Sequence, residues 1–137
     1  MLVVVYTADV KVLLLRRHSP FDFWQSVTGS VDEHESLIDA ARRELAEETG
    51  LHDEGQLVDS GNSRTFTIDP RWRDRYAPGV SENVEHEWRY RLPAEQDIRI
   101  NPREHSAYCW MPLGQAIDTV WSWTNKAALR DLQGHQA

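Results

Sequence analysis

The chain has 137 residues, the length of one domain, and that is enough to bury a core without a disulfide or metal staple. Hydrophobic residues make up 40% and charged residues 27%, ordinary proportions that exclude a disordered chain. Fifteen Lys and Arg against 22 Asp and Glu leave a net charge of −7, the wrong sign for gripping long nucleic acid, and the single cysteine, Cys109, excludes an intrachain disulfide and a Cys-based zinc site.

Two apolar runs, Leu2 to Thr7 and Val12 to Leu15, flank Ala8-Asp9 and predict a hairpin. The opening run lacks a positively charged leader, and no stretch approaches the roughly 18 apolar residues of a membrane span. A cytoplasmic protein with no membrane partner is therefore expected. After Pro20, the aromatic stretch Phe21-Asp22-Phe23-Trp24 leads into a short strand, Gln25 to Thr28. Glu35 to Thr49 has no Gly or Pro and is rich in Ala, Leu, Glu and Arg, which predicts a helix with Ile38, Ala41 and Leu45 as its apolar stripe and Gly50 as its stop. Strands are expected at Leu57–Val58, Arg64–Ile68, Val84–Leu92 and Ala107–Met111, and a last helix capped by Thr124 at about Asn125 to Leu132. Strands on both sides of a central helix, with another helix at the end, point to a mixed sheet between helices in a single domain, 1–137.

The central helix carries Glu44, Glu47 and Glu48. At 100° per residue with Glu44 as zero, Glu47 lies at about 300° and Glu48 at about 40°, so the three carboxylates share one face. A solvated acidic face is the plain reading of such a triplet. The alternative is a site for a hard divalent cation, which prefers oxygen ligands and offsets the mutual repulsion. Arg43, four residues before Glu47, can hold one carboxylate in place.

The wider spacing favours the second reading. Gly29, five residues, Glu35, seven residues, then Arg43-Glu44-Leu45-Ala46-Glu47-Glu48-Thr49-Gly50-Leu51 fills every fixed position of the Nudix box. By this resemblance the chain is similar to the Nudix hydrolases. The resemblance implies an α/β/α sandwich, in the α/β class, with a mixed β-sheet and a loop–helix–loop catalytic motif. It also implies hydrolysis of a phosphoric anhydride in a small-molecule polyphosphate with Mg²⁺, for which Mn²⁺ can substitute. On the same grounds Glu44, Glu47 and Glu48 resemble the metal-binding and base carboxylates, with Glu44 favoured as base. Gly29 resembles a backbone metal ligand, and Glu35 and Arg43 look like the residues that brace the motif.

Flanking residues narrow the branch. Phe23 to Val31, Arg75-Tyr76-Ala77-Pro78-Gly79-Val80, Glu104-His105 with Tyr108 and Trp110, and Ser122-Trp123-Thr124-Asn125 together resemble bacterial members that act on a pterin triphosphate in folate synthesis. That likeness implies water attack at the α-phosphorus, releasing a pterin monophosphate and pyrophosphate. It makes Glu104 a further metal ligand and Arg16 and Thr28 substrate contacts. It also implies a basic segment ahead of the first strand, inside which this sequence opens, and a substrate loop near Ile68 to Pro70 that is about two residues shorter here. His34 stands where such relatives carry Gly.

Arg64, Arg71, Arg73 and Arg75 form a basic group in an acidic chain, suited to phosphate oxygens, with Arg75 the preferred contact. Trp24 or Trp123 can stack on a flat ring, although most tryptophans are core residues. His105 adjoins Glu104, where it can orient that carboxylate or simply fill the structure. The box is shared by (deoxy)nucleoside triphosphate pyrophosphatases acting on dATP or oxidised dGTP, and more distantly by non-catalytic nucleotide-binding modules. Monomer and homodimer both stay open.

Overall fold

The computed structural model describes residues 1–136, and of Arg73 and Gln136 the backbone alone. Strand β1 (Leu2–Thr7) is buried along its whole length. A strand apolar on both faces has to lie inside a sheet covered on each side, and here its alternate residues feed two cores. Val3 and Val5 join Leu13, Leu15, Val27, Trp88 and Tyr90 on one face, while Leu2, Val4 and Tyr6 join Val12 and Leu14 on the other. Helix α1 (Leu37–Thr49) covers the first core through Ala40, Ala41 and Leu45. Helices α2 (Leu113–Thr119) and α3 (Trp123–Gln136) cover the second through Ala116, Ile117, Ala128, Leu129 and Leu132. The layers are α/β/α.

The remaining strands are β2 (Lys11–Arg17), β3 (Phe23–Gln25), β4 (Val27–Thr28), β5 (Gln56–Thr67), β6 (Glu82–Leu92) and β7 (His105–Pro112). The order is β3-β2-β1-β6-β5, with β4 beside β1 and β7 beside β2. β1 runs parallel to β6 and all other pairs are antiparallel, so the sheet is mixed.

Several sequence expectations need correction. β1 and β2 do turn back on one another, with Val10 N donating to Thr7 O at 2.8 Å, but they register only at Tyr6 and Val12. Beyond that pair they part, because the same edge of β1 goes on to pair with β4 at Leu2 and Val3, and that of β2 with β3 from Leu15 to Arg17. The expected Gln25–Thr28 strand is broken at Ser26, where Asn125 of α3 takes over. Its Oδ1 accepts from Ser26 N at 2.8 Å, and its Nδ2 donates to Ser26 Oγ at 2.9 Å. The two pieces expected at 57–58 and 64–68 are one strand, β5, with an irregularity between Asp59 and Ser63. Helix α2 was not expected at all. In α3, Thr124 lies inside the first turn rather than at the cap, and its Oγ1 is 2.8 Å from Ser122 Oγ.

The ends of α1 follow local chemistry. Ser36 caps it, its Oγ accepting from Asp39 N at 3.2 Å, and Gly50 stops it at φ 77°, donating to Ala46 O at 2.9 Å. The buried face is Ala40, Ala41 and Leu45, whereas Ile38, expected in the stripe, is 36% exposed. His34 holds φ 67°, so the loop keeps a left-handed turn although its residue is not glycine.

Candidate active site

Arg43 is the hub of the box. Its Nε and Nη2 fork onto Glu35, at 2.8 Å to Oε2 and 3.0 Å to Oε1, and Nη2 also donates to Ser30 O at 2.8 Å. These bonds tie the loop before α1 to the middle of the helix. Arg43 holds the Glu35 carboxyl below the usual carboxylate range, and the pair holds Arg43 above the usual guanidinium range. Nη1 reaches Glu44 Oε1 at 3.0 Å and the exposed Glu47 at 3.4 Å.

Glu44 packs against the backbone of Gly29. A Cβ at Gly29 would fall 2.1 Å from Glu44 Cδ and 2.5 Å from Oε1, so a side chain at 29 and this carboxylate position are incompatible. Burial pushes Glu44 up, with Glu47 and Glu48 adding to the shift and Arg43 opposing it. The Gly29 carbonyl accepts from Met1 N at 2.7 Å, and its second lone pair is not used by that bond.

Glu48 turns from the same helix into the protein. It is 3% exposed, and its Oε2 stands 2.8 Å from Nδ1 of the equally buried His105 at the start of β7. The contact is close but misaligned for a hydrogen bond, which leaves both atoms without a partner. On its other side His105 Nε2 is 3.3 Å from Gln25 Nε2. One group among the described residues brings three metal-competent side chains together: Glu48, Glu104 and His105, with ligand atoms within 4.8 Å of one another. Of the residues named from the sequence, the structure thus joins Glu48 to Glu104, while Glu44 and Glu47 stand outside that group. His105 sits against Glu48 rather than orienting its own neighbour.

The cationic side of the site differs most from the sequence reading. Arg16 is exposed and paired with Asp22 at 2.8 Å. The next residue, Arg17, is 7% exposed and lies across from Phe23 on β3 and His105 on β7. Its Nε donates to Ser19 O at 2.8 Å, and it forms no ion pair among the described residues. Burial and the nearby Arg75 push Arg17 down, while Glu104 and Glu48 oppose the shift. The charges around Arg17 are therefore Arg75, Glu104 and Glu48. Leu13 and Leu15 face α1, so strand alternation sends Arg17 to that side and Arg16 to the other, a signal already present in the sequence.

Arg64 is not available to a phosphate. It donates to the buried Glu87 at 2.6 Å and pairs with Asp131 of α3. Arg71 is held by Asp69 at 2.8 Å, lies 4.0 Å over the Phe21 ring, and draws Asp69 down to about 2. The Arg73 side chain lies outside the described residues. Phe21, Phe23, Trp72 and Trp121 form one aromatic cluster, with Trp72 and Trp121 stacked at 5.4 Å. The cluster fastens the 3-10 turn Pro70–Arg75, and with it the exposed Arg75, against β3 and the α2–α3 connection. Trp24 packs into the core under α2 and α3, while Trp123 is 56% exposed at the start of α3. Thr28 lies on β4 opposite Leu2.

A carboxylate-bearing helix braced by an Arg–Glu fork and laid on a mixed sheet is the architecture of a phosphoanhydride hydrolase with a divalent cofactor. The NUDIX domain model matches residues 1–132, and the chain belongs to the Nudix family. It is 42% identical over 132 residues to the dihydroneopterin triphosphate diphosphatase of Escherichia coli K12, covering 93% of this chain and 87% of that one. The Haemophilus influenzae protein of the same name is 36% identical over 133 residues, covering 94% and 83%. The solved structure of the E. coli dihydroneopterin triphosphate pyrophosphohydrolase superposes with a TM-score of 0.89 at 40% identity, over 95% of this chain and 90% of that one.

Proposed function

We propose that this Nudix hydrolase cleaves dihydroneopterin triphosphate to dihydroneopterin monophosphate and pyrophosphate, with Mg²⁺, as one domain spanning the chain. The observation that carries the reading is the 42% identity to an enzyme of that name over 93% of the chain, with every box carboxylate in place. The donor set fits a hard cation. Glu48 and Glu104 offer oxygens within 4.8 Å of one another, Glu44 adds a third from the same helix face, and the buried Glu48 Oε2 has no hydrogen-bond donor, a costly state that a cation relieves. Bound there, Mg²⁺ supplies Lewis-acid neutralisation of polyphosphate charge.

The chain's own residues do the rest. His105 and Gln25 wedge the Glu48 side chain so that it presents its oxygens toward Glu104. Arg43 and Gly29 fix the Glu44 carboxylate, and its burial-raised proton affinity suits a group that orients and deprotonates water. Arg17, in place of Arg16, and Arg75 bring two guanidiniums toward the negative phosphate tail. Water oxygen bonds to the α-phosphorus, and the bridging oxygen leaves with pyrophosphate.

The test is turnover of dihydroneopterin triphosphate beside dATP and 8-oxo-dGTP with Mg²⁺, reading phosphate with and without inorganic pyrophosphatase. A signal that needs the added pyrophosphatase and is highest for the pterin supports the reading. Faster release from either nucleotide refutes the pterin assignment and leaves the hydrolase class intact.

A further inference from the structure

On β6, Glu85 is a partly buried carboxylate that the phosphate chemistry does not use. It lies one strand repeat from Glu87, which pairs across with Leu2 of β1, so both carboxylates face α3 and not α1. Thr28 occupies the same row, opposite Leu2 on β4. The Thr124 hydroxyl, in the first turn of α3 and 2.8 Å from Ser122 Oγ, stands near enough to Glu85 to draw its carboxyl down. The cation directly across on β5, Arg64, is committed to Glu87 and Asp131. β6 runs parallel to β1 with Glu87 opposite Leu2, so Glu85 lies just ahead of the level of Met1, whose nitrogen donates to Gly29 O at 2.7 Å, and the charges of Glu85 and Glu44 both act on that nitrogen. Val84, which precedes it on β6, and Trp123, which precedes Thr124 at the start of α3, are both exposed.

A partly desolvated carboxylate whose facing arginine is engaged elsewhere is set to accept two parallel N–H donors. The 2-amino-4-oxopyrimidine edge of a pterin presents such a pair, the ring N–H and the adjacent amino group, and guanine presents the same pair. Adenine does not. We propose that Glu85 is a specificity-determining residue that reads this edge, with Thr124 orienting the carboxylate and the exposed Trp123 offering the flat face of the ring a neighbour. Burial raises the proton affinity of Glu85, and two donors from the ring favour its ionised form. The inference rests on the substrate reading above and extends it to guanine nucleotides.

The experiment compares Glu85→Gln with wild type on dihydroneopterin triphosphate, dGTP and dATP. It reads the ratios of kcat/KM within one preparation, so that any loss of folded protein cancels. The amide replaces one acceptor by a donor that opposes the ring's own. The pterin-to-dATP and dGTP-to-dATP ratios are expected to fall by about 10- to 100-fold, mainly through KM for the pterin and dGTP. Glu85→Asp, which keeps the charge but draws it back, is expected to lie between the two and serves alone if the amide variant does not fold. Both ratios staying within threefold of wild type would overturn the role of Glu85. Wild-type enzyme that turns over the pterin no faster than dATP overturns the substrate reading, and the dGTP-to-dATP ratio then still decides Glu85.

Discussion

Replacing Gly29 by Ala separates the fold from the site. The added Cβ would lie 2.1 Å from Glu44 Cδ, against about 3.4 Å for ordinary contact, so the carboxyl has to retreat by about 1.3 Å. The backbone of Gly29 is not in the left-handed region, so the methyl strains only this contact. Glu44 is the flexible party and its end can swing, which keeps the expected change in Tm within about 3 °C. Catalysis is less tolerant. Retreat breaks the 3.0 Å bond from Arg43 Nη1 and moves the carboxylate away from the water it is proposed to orient, and a displacement of about 1 Å costs roughly 10²-fold, or about 2.7 kcal/mol of barrier. The assay is kcat at saturating Mg²⁺, alone and in a cycle with Glu44→Ala, which removes the clashing atoms. Gly29→Ala is expected to add little in that background. The reasoning fails if the single variant keeps more than a third of wild-type kcat, or if the methyl costs the same factor with Glu44 absent.

Three other outcomes are expected. Glu48→Gln lowers turnover by about 10³-fold with the fold retained, and a variant keeping more than a tenth of wild-type rate at saturating Mg²⁺ counts against its metal role. Arg43→Ala destabilises most at neutral pH. Glu35 titrates below its usual 4.5 in the folded protein, so its contribution is present above that pH and is lost as pH falls through the folded value. Thermal melts at pH 7 and pH 3.5 then show a Tm gap between variant and wild type that narrows in acid, and a gap independent of pH refutes the linkage. His34→Gly relieves the left-handed backbone at φ 67° and raises stability by up to about 1 kcal/mol, read by thermal or urea unfolding. Its side chain is 90% exposed and its contact with Glu33 is a surface pair, so little is lost with the imidazole.

What the sequence revealed divides by distance along the chain. α1, its Gly50 stop and the Glu44, Glu47 and Glu48 face are readable because helix periodicity and capping are local rules. The contact of Glu48 with His105 spans 57 positions, and nothing in the periodicity of either segment announces it. Arg64 reads in the sequence as one of a basic group suited to phosphate because Glu87 and Asp131, its partners, arrive from β6 and α3. Arg16 and Arg17 are a different kind of miss. They are neighbours of the same type, and only their opposite faces distinguish them, a rule of alternation that Leu13 and Leu15 already displayed. Helix α2 escaped because it is seven residues long, follows Pro112 and contains Gly114, which together mute every helical signal.

The same division explains why a Nudix sequence declares its chemistry more readily than its substrate. Glu35, Arg43, Glu44, Glu47 and Glu48 lie on one loop and one helix, so their spacing is fixed by backbone geometry and reads as a motif. The side chains proposed to meet the rest of a substrate come from separate elements: Arg17 from β2, Thr28 from β4, Arg75 from a turn pinned by Trp72 and Trp121, Glu85 from β6 and Trp123 from α3. Each of these elements is anchored by its own contacts, so a change in one can alter ring or phosphate recognition without disturbing the Arg43 fork. The engaged Arg64 is a case in point. Its hydrogen bonds go to Glu87 and Asp131, so Glu85 feels its charge without being bound by it, and a substitution such as Asp131→Ala, outside the box, frees one arm of the fork and is expected to lower the proposed preference for an N–H edge.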